Sequence, residues 1–201
     1  MYGQNSVFQF KITLQEIKPV IWRRIQIPTN YTFWDFHVAI QDSMGWLDCH
    51  LHRFEIKPPR AHKTIEIGIP FEDDDLYDFK TIAGWETKVD KYFTKIGNTA
   101  LYIYDFGDNW HHNILFEGII IREKGCKYPK CIDGKRLAPP ENCGGDLGYY
   151  NFLEAISNPE HEEHDRMIEW NNGEYNPENF SKENVRFTNP NARLKRVLQN
   201  I

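Results

Sequence analysis

Two β-rich runs separated by three turn residues constrain the fold of this chain most strongly. Residues 100–106 and 110–121 are rich in aromatic and isoleucine side chains, which favour the pleated surface of a sheet. Gly107, Asp108 and Asn109 lie between the runs and suit a short hairpin turn. The sequence therefore predicts an antiparallel hairpin through this turn. If Gly107 has a positive φ, a valine in its place should cost about 1 kcal/mol or more.

The N-terminal part of the chain shows the same strand pattern and one strong helix signal. Apolar and polar residues alternate over residues 8–14, which indicates a half-buried strand, and residues 20–27 predict its hairpin partner. Thr32 begins a helix, because Asp35 three residues later completes an acidic variant of the capping box. Gly45 is placed where this helix ends.

The central part of the chain is less regular. Residues 57–80 predict a surface loop around one short strand at 64–67. A helix is predicted next, and it starts near Thr81 or near Asp90 and ends at Gly97.

The C-terminal third predicts helices that follow a long loop. Residues 124–148 carry three prolines and five glycines and predict an irregular loop, which compact domains rarely keep without a function. Three helices follow, one before Pro159, one from there to about Trp170, and one at 191–198. Since strands come early and helices flank them or come late, the predicted fold class is α+β, a mainly antiparallel sheet with helices packed against it. Residues 1–201 are predicted as a single domain, with a helical C-terminal part from about residue 148.

Composition and charge argue against several classes of protein. The net charge of −5 and the pI near 5.9 disfavour general nucleic-acid binding, which needs a basic face, although a small basic patch is left open. No apolar run approaches the roughly 20 residues of a membrane-spanning helix, and the first residues lack the regions of a signal peptide. A cytoplasmic protein without a membrane partner is expected.

The four cysteines are expected to be free thiols. Their number and placement fit a reducing compartment better than a disulfide scaffold. Cys126, Cys131 and Cys143 lack the paired C-x2-C spacing that is usual for zinc. A zinc or redox cluster is the alternative.

Four motifs in combination resemble one known family. They are PVIWRR at 19–24, GWLDCHLHRF at 45–54, YDFGDNW at 104–110 and PPENCGG at 139–145. The chain is similar to the plasmid pRiA4b ORF-3-like family from about residue 8 to about residue 185, with small departures at His111 and Asn142.

The resemblance implies a shared fold and a shared surface, and it brings no established catalytic mechanism. Some members carry a transposon-passenger, resolvase-like label, which implies a link to mobile genetic elements. The favoured interpretation is an uncharacterised cytoplasmic binding or interaction domain that has no cofactor and binds an unknown protein or a small anionic ligand. The alternative is a metal-dependent phosphoester hydrolase that uses a divalent metal, so the sequence leaves open whether the chain is an enzyme.

Three histidines are the candidate metal ligands of that alternative. His50 and His52 lie two residues apart in a strand predicted at 50–56, so both point to one side. His112 alternates with apolar residues in the second β-rich run. A histidine on an apolar face is more often a hydrogen-bonded core residue. We therefore predict that His52 and His112 are buried and hydrogen-bonded instead of metal-bound.

Three carboxylates are the candidate catalytic residues. Asp105, Asp108 and Glu141 lie in turn-rich segments and could form an acid–base or metal cluster. The two aspartates complete the metal-ligand set of His50, His52 and His112. The alternative is that aspartates in turns bind their own backbone.

A ligand pocket is predicted where the segment 139–149 faces the turn at 105–110. Its candidate ligand-binding residues are Trp110, Gly144, Gly145, Asp146 and Tyr149. Glycines allow a close backbone approach, and free amides before the Tyr149 helix favour an anionic group. The alternative, held equally open, is that the segment folds down as a lid on the sheet.

One further cluster has only a superficial resemblance to a metal-binding motif. Residues 161–165 (HEEHD) place two histidines at i,i+3, whereas a zinc-protease helix needs i,i+4. A solvated acidic helix face is predicted there.

Overall fold

The computed structural model describes residues 5–58, 63–70 and 80–199. These residues form an eight-stranded sheet and four α-helices. The strands are β1 (Ser6–Leu14), β2 (Trp22–Pro28), β3 (His52–Ile56), β4 (Ile65–Gly68), β5 (Ile82–Ala83), β6 (Thr99–Tyr104), β7 (Trp110–Ile121) and β8 (Lys130–Lys135). The helices are α1 (Phe33–Met44), α2 (Gly145–Ser157), α3 (His164–Trp170) and α4 (Pro190–Leu198).

The sheet is mainly antiparallel. Its strand order is β5-β4-β3-β6-β7-β1-β2-β8. Among the described strands, β4 and β5 are parallel and the other neighbours are antiparallel. The predicted α+β fold class is therefore confirmed, and so is the hairpin of β1 and β2.

Helix α1 covers one face of the sheet and forms the core with it. The Oγ1 of Thr32 accepts a hydrogen bond from the amide of Asp35, and the Asp35 carboxylate accepts one from the amide of Thr32. Gly45 ends the helix with φ of +86°, a conformation that favours glycine. Phe36 packs on Phe10 of β1, with ring centroids 4.6 Å apart. The predicted capping box and helix end are confirmed.

The hairpin of β6 and β7 is confirmed, but its turn differs from the prediction. The two strands are antiparallel and Tyr104 pairs with Trp110. Asp105 and Asn109 hold the positive φ angles, +56° and +57°. Gly107 has no positive φ, so the premise for a costly Gly107→Val is wrong.

The helix predicted to end at Gly97 is wrong. β5 and a short 3₁₀ helix at Val89–Lys91 occupy this segment. Val89 and Phe93 are buried, whereas Ile96 is 73% exposed. Val89 and Phe93 anchor the segment separately in the core. Such an arrangement does not require the continuous apolar face of a helix.

Two other boundaries differ from the prediction. The loop predicted at 124–148 contains β8, which pairs with β2 at the edge of the sheet. The strand predicted at 50–56 begins at His52, so His50 lies before it. β8 has the sequence KCIDGK; a short polar edge strand shows little apolar alternation, which explains why it was missed.

The C-terminal helices pack in two places. α2 and α3 pack on each other, and the rings of Phe152 and Trp170 lie 5.7 Å apart. α4 packs on α1, where Arg193 forms an ion pair with Asp42. α3 begins at His164, later than the predicted start at Pro159. No helix in the described ranges is long and apolar enough to cross a membrane.

Candidate functional site

The segment 139–144, which we call the 139–144 loop, lies against one end of the sheet. The indole Nε1–H of Trp46 donates to the carbonyl of Pro139 at 2.8 Å, in a buried position. Trp46 itself stacks on Tyr104 at the end of β6, with ring centroids 5.1 Å apart. The start of the loop is thus fixed to the sheet through one aromatic stack.

Glu141 is held by two donors from different segments. The hydroxyl of Tyr104 donates to its Oε1 at 2.6 Å, and the amide of Leu47 donates to its Oε2 at 2.6 Å. Burial of the phenol, together with the bond to Glu141, raises the pKa of Tyr104 well above its ordinary value. Tyr104 therefore keeps its proton and remains a hydrogen-bond donor. Both Glu141 oxygens are engaged by the protein.

His50 connects the loop to the β6–β7 turn. Its Nε2 lies 2.8 Å from Oδ1 of Asn142 and 3.4 Å from Oδ2 of Asp105. The other Asp105 oxygen accepts from the amides of Gly107 and Asp108, at 3.0 and 3.3 Å. Asp105 is buried and shapes its own turn, as the alternative for turn aspartates states.

Asp108 occupies the position that was proposed for an anion. Its Oδ2 accepts from the amide of Gly144 at 3.2 Å. A Cβ on Gly145 would lie 2.8 Å from the carbonyl of Asp108, so the turn and the start of α2 are in close contact. Since a carboxylate of the chain already binds this amide, the contacts favour the lid alternative for the 139–144 loop.

The predicted ligand-binding residues separate into two groups. Trp110 and Asp146 line a cleft of about 320 Å³ together with Asp108. Glu16 also lines it, so the cleft carries three carboxylates and is unsuited to an anion. Tyr149 is fully buried, and its hydroxyl lies 3.0 Å from that of Tyr175.

A larger depression is lined by the 139–144 loop itself. Among the described residues, two clefts of about 600 Å³ each are both lined by Asn142 and Trp170. One continues to Leu47 and Pro140, and the other runs between α2 and α3. We call the two clefts together the Trp170 groove.

The sequence reasoning missed this groove. The GWLDCHLHRF motif contains Leu47, but nothing in its pattern shows that a helix end carrying Trp170 packs opposite. Residues 161–165 were predicted as a solvated acidic helix face. Glu162 and Glu163 lie before α3 and line the groove. The available signal was Trp170 itself, a large aromatic residue at the predicted end of a helix.

The candidate metal ligands do not converge as a set, although His50 and Asp105 lie 3.4 Å apart. His52 and His112 are buried, as predicted, whereas His50 lies half-exposed at the loop. Within the described ranges, no group of three His, Cys, Asp or Glu side chains has the arrangement of a metal site. The four cysteines are free thiols, and burial, with Asp108 nearby, raises the pKa of Cys143 to about 12.

His52 and His112 are neutral at pH 7. Burial lowers the pKa of His112 to about 3, and burial next to His37 lowers that of His52 well below its ordinary value. The predicted hydrogen bond is present for His112, whose Nδ1 lies 3.2 Å from the carbonyl of Trp110. In the described part of the chain, Nδ1 of His52 and Nε2 of His112 have no partner.

A buried polar network under α4 was also missed. His37 stacks on His52 with centroids 3.4 Å apart, and its Nε2 lies 2.7 Å from Oδ1 of Asp48. Arg193 bridges Asp48, at 3.3 Å, and Asp42. Residues 145 positions apart meet here, so no local spacing in the sequence could have indicated it.

The chain is similar to known proteins over most of its length. Residues 6–184 match the family described as plasmid pRiA4b ORF-3-like protein. The uncharacterized protein y4hQ of Sinorhizobium fredii is 30% identical over 165 residues, which are 82% of this chain and 80% of that protein. The crystal structure of a protein of unknown function, MM3350 from Methanosarcina mazei Go1, is 40% identical with a TM-score of 0.81. That match covers 90% of this chain and 97% of the other. This chain therefore belongs to the plasmid pRiA4b ORF-3-like family.

Proposed function

We propose that this protein is a binding module that holds its partner in the Trp170 groove. The observation that carries the proposal is the shape of the groove, two clefts of about 600 Å³ that share Asn142 and Trp170 as walls. Ligand sites are concave, mostly preformed, and within this range of volume.

The walls of the groove are held in place before any partner binds. Trp170 packs edge-on against Phe152 and is still 41% exposed. On the opposite wall, the amide of Leu47 is bound by Glu141, while its side chain is 78% exposed. Large apolar side chains on a fixed concave surface are typical of interaction sites, and a fixed site loses little conformational entropy on binding.

The alternative, a metal-dependent phosphoester hydrolase, has less support from the geometry. Of its proposed ligands, His52 and His112 lie in the core. Asp105 and Glu141 direct both carboxylate oxygens to groups of the protein. A catalytic cluster would require these groups to exchange their present partners. The link to mobile genetic elements and the cytoplasmic location stay predictions.

The proposal can be tested by nuclear magnetic resonance of the isotope-labelled protein with a library of small organic fragments. We expect amide shifts at Asn142 and Trp170 on binding, and their loss in Trp170→Ala. Trp22→Ala, on β2 outside the groove, is the matched control and should bind as the wild type does. Circular dichroism verifies that both variants fold.

Two outcomes would contradict the proposal. One is that no fragment perturbs the groove, or that Trp170→Ala binds as well as Trp22→Ala. The other is turnover of bis(para-nitrophenyl) phosphate in the presence of manganese or zinc that His50→Ala abolishes. The second result would favour the hydrolase.

A further inference from the structure

The Trp170 groove has an unbalanced charge. Among its described lining residues are four carboxylates, those of Glu141, Glu154, Glu162 and Glu163, and one guanidinium, that of Arg166. Four negative charges against one positive charge leave a formal charge of −3, with histidine neutral. Arg166 is moreover already paired with Glu163.

Two of these carboxylates form no ion pair with any described residue. Within residues 5–58, 63–70 and 80–199, neither Glu154 nor Glu162 takes part in an ion pair. Glu154 lies on α2 and Glu162 in the turn before α3, so they approach the same cleft from two elements. A cleft lined by charges of one sign raises the local concentration of the opposite charge.

The apolar part of the groove favours the same kind of partner. Trp170 is held by Phe152 and exposes part of its indole. An indole face attracts lysine and arginine side chains more strongly than other aromatic rings do. Met167 on the same helix and Leu47 across the groove offer apolar contacts.

We propose that the Trp170 groove binds a basic peptide segment of a partner protein, with a lysine or arginine side chain at Trp170 and apolar side chains in the two clefts. This proposal rests on the binding function proposed above and names its partner. A peptide fits better than a small cation, because the two clefts together offer more room than one side chain fills. Glu154 and Glu162 line one cleft and Leu47 lines the other, so a partner that uses both must span the two clefts.

The test uses fluorescence anisotropy with defined probes. The first probe is a fluorescein-labelled peptide of alternating lysine and leucine, and the second has glutamate in place of each lysine. The variants are Trp170→Ala and the double variant Glu154→Gln/Glu162→Gln. The double variant Glu160→Gln/Glu169→Gln is the matched control, since both residues are exposed and neither lines the groove.

We expect the lysine peptide to bind and the glutamate peptide not to bind. Affinity for the lysine peptide should fall about two- to thirty-fold in Glu154→Gln/Glu162→Gln, as the loss of two surface ion pairs predicts. It should fall about three- to thirty-fold in Trp170→Ala, which removes the cation–π contact. The control should change less than either, and added salt should weaken binding to the wild type.

Several results would overturn the proposal. It fails if the control weakens binding as much as Glu154→Gln/Glu162→Gln, or if both peptides bind equally. It also fails if spermidine displaces the lysine peptide at equal concentration, because the site then serves small cations. If fragments bind the groove while neither peptide does, the binding function stands and its basic partner is wrong. If neither fragments nor peptides bind, both proposals fail.

Discussion

The carboxylate of Asp108 accepts a hydrogen bond from the amide of Gly144 at 3.2 Å and so ties the β6–β7 turn to the start of α2. Gly144 has φ of +90° and lies at the N-cap of α2, where no side chain of its own can cap the helix. Asp108 binds the amide of the N-cap residue itself, which in a capping box is bound by the side chain at N3. A carboxylate at a helix N-terminus is also favoured by the helix dipole.

Replacement of Asp108 by alanine should therefore destabilise the protein. We expect the free energy of unfolding, measured by urea denaturation, to fall by about 0.5–1.5 kcal/mol, as for the loss of one hydrogen bond. Asp108→Asn keeps an acceptor oxygen and should retain most of the stability. Equal losses in the two variants would show that the bond to Gly144 is not responsible.

Gly145 should tolerate alanine poorly for two separate reasons. Its φ is +70°, and an added Cβ would lie 2.8 Å from the carbonyl of Asp108. Gly125 is the matched control, because its φ is +82° and an added Cβ meets no atom within 4 Å. We expect Gly125→Ala to cost about 1 kcal/mol from backbone strain alone. Gly145→Ala should cost about 2–4 kcal/mol, because a steric clash adds to the strain. Equal costs would contradict the close approach.

The stability of the protein should fall as the pH falls below about 6.5. The pKa of His112 is about 3 in the folded protein because of burial, and that of His52 is shifted in the same direction. Unfolded histidine has a pKa of about 6.5. Between these values the unfolded chain binds protons that the folded chain does not, so acid favours unfolding.

The expected slope can be measured by urea denaturation between pH 7.5 and 5. Each of the two histidines should contribute up to about 1.4 kcal/mol per pH unit once the pH is well below 6.5. His112→Gln removes one titrating group and should lower the slope, whatever its effect on absolute stability. An unchanged slope in His112→Gln would show that this histidine is not buried neutral.

Arg193 should anchor α4 to the rest of the protein. Its guanidinium is 15% exposed and bridges the largely buried carboxylates of Asp42 and Asp48. Arg193→Ala leaves both carboxylates without this partner and should cost about 2–4 kcal/mol of unfolding free energy, somewhat less than a fully buried pair. Lys195→Ala, on the exposed part of α4, should change stability by less than about 0.5 kcal/mol. Similar effects of the two changes would argue against the bridge.

The elements that the sequence predicted well are those with a local cause. The capping box of Thr32 and Asp35 and the alternation in β1 depend on neighbours within a few residues. The helix predicted to end at Gly97 failed because Val89 and Phe93 are buried as two separate anchors, and Phe93 packs on both Phe10 of β1 and Phe36 of α1 without a helix of its own. The sequence did not predict β8, because an edge strand has one neighbour and needs little apolar alternation.

The candidate site could be predicted only in part for the same reason. The segment 139–149 was expected to face the turn at 105–110, and Asp108 of the turn does contact Gly144 and Gly145. The hydrogen bond from the Gly144 amide to Asp108 depends on where the 139–144 loop lies on the sheet. No short sequence pattern specifies that position. The Trp170 groove depends further on how α3 packs on α2.

The hydrogen bonds of the 139–144 loop also bear on the order in which the chain folds. They join residues 94 positions apart at Leu47 and Glu141, 92 apart at His50 and Asn142, and 36 apart at Asp108 and Gly144. The entropy of closing such long loops is lost before these bonds form. We expect them to be absent from the folding transition state, so that substitutions of Glu141 accelerate unfolding and leave the refolding rate nearly unchanged. A nascent chain would then complete the Trp170 groove, which Leu47 and Glu141 line, as one of the last events of its folding.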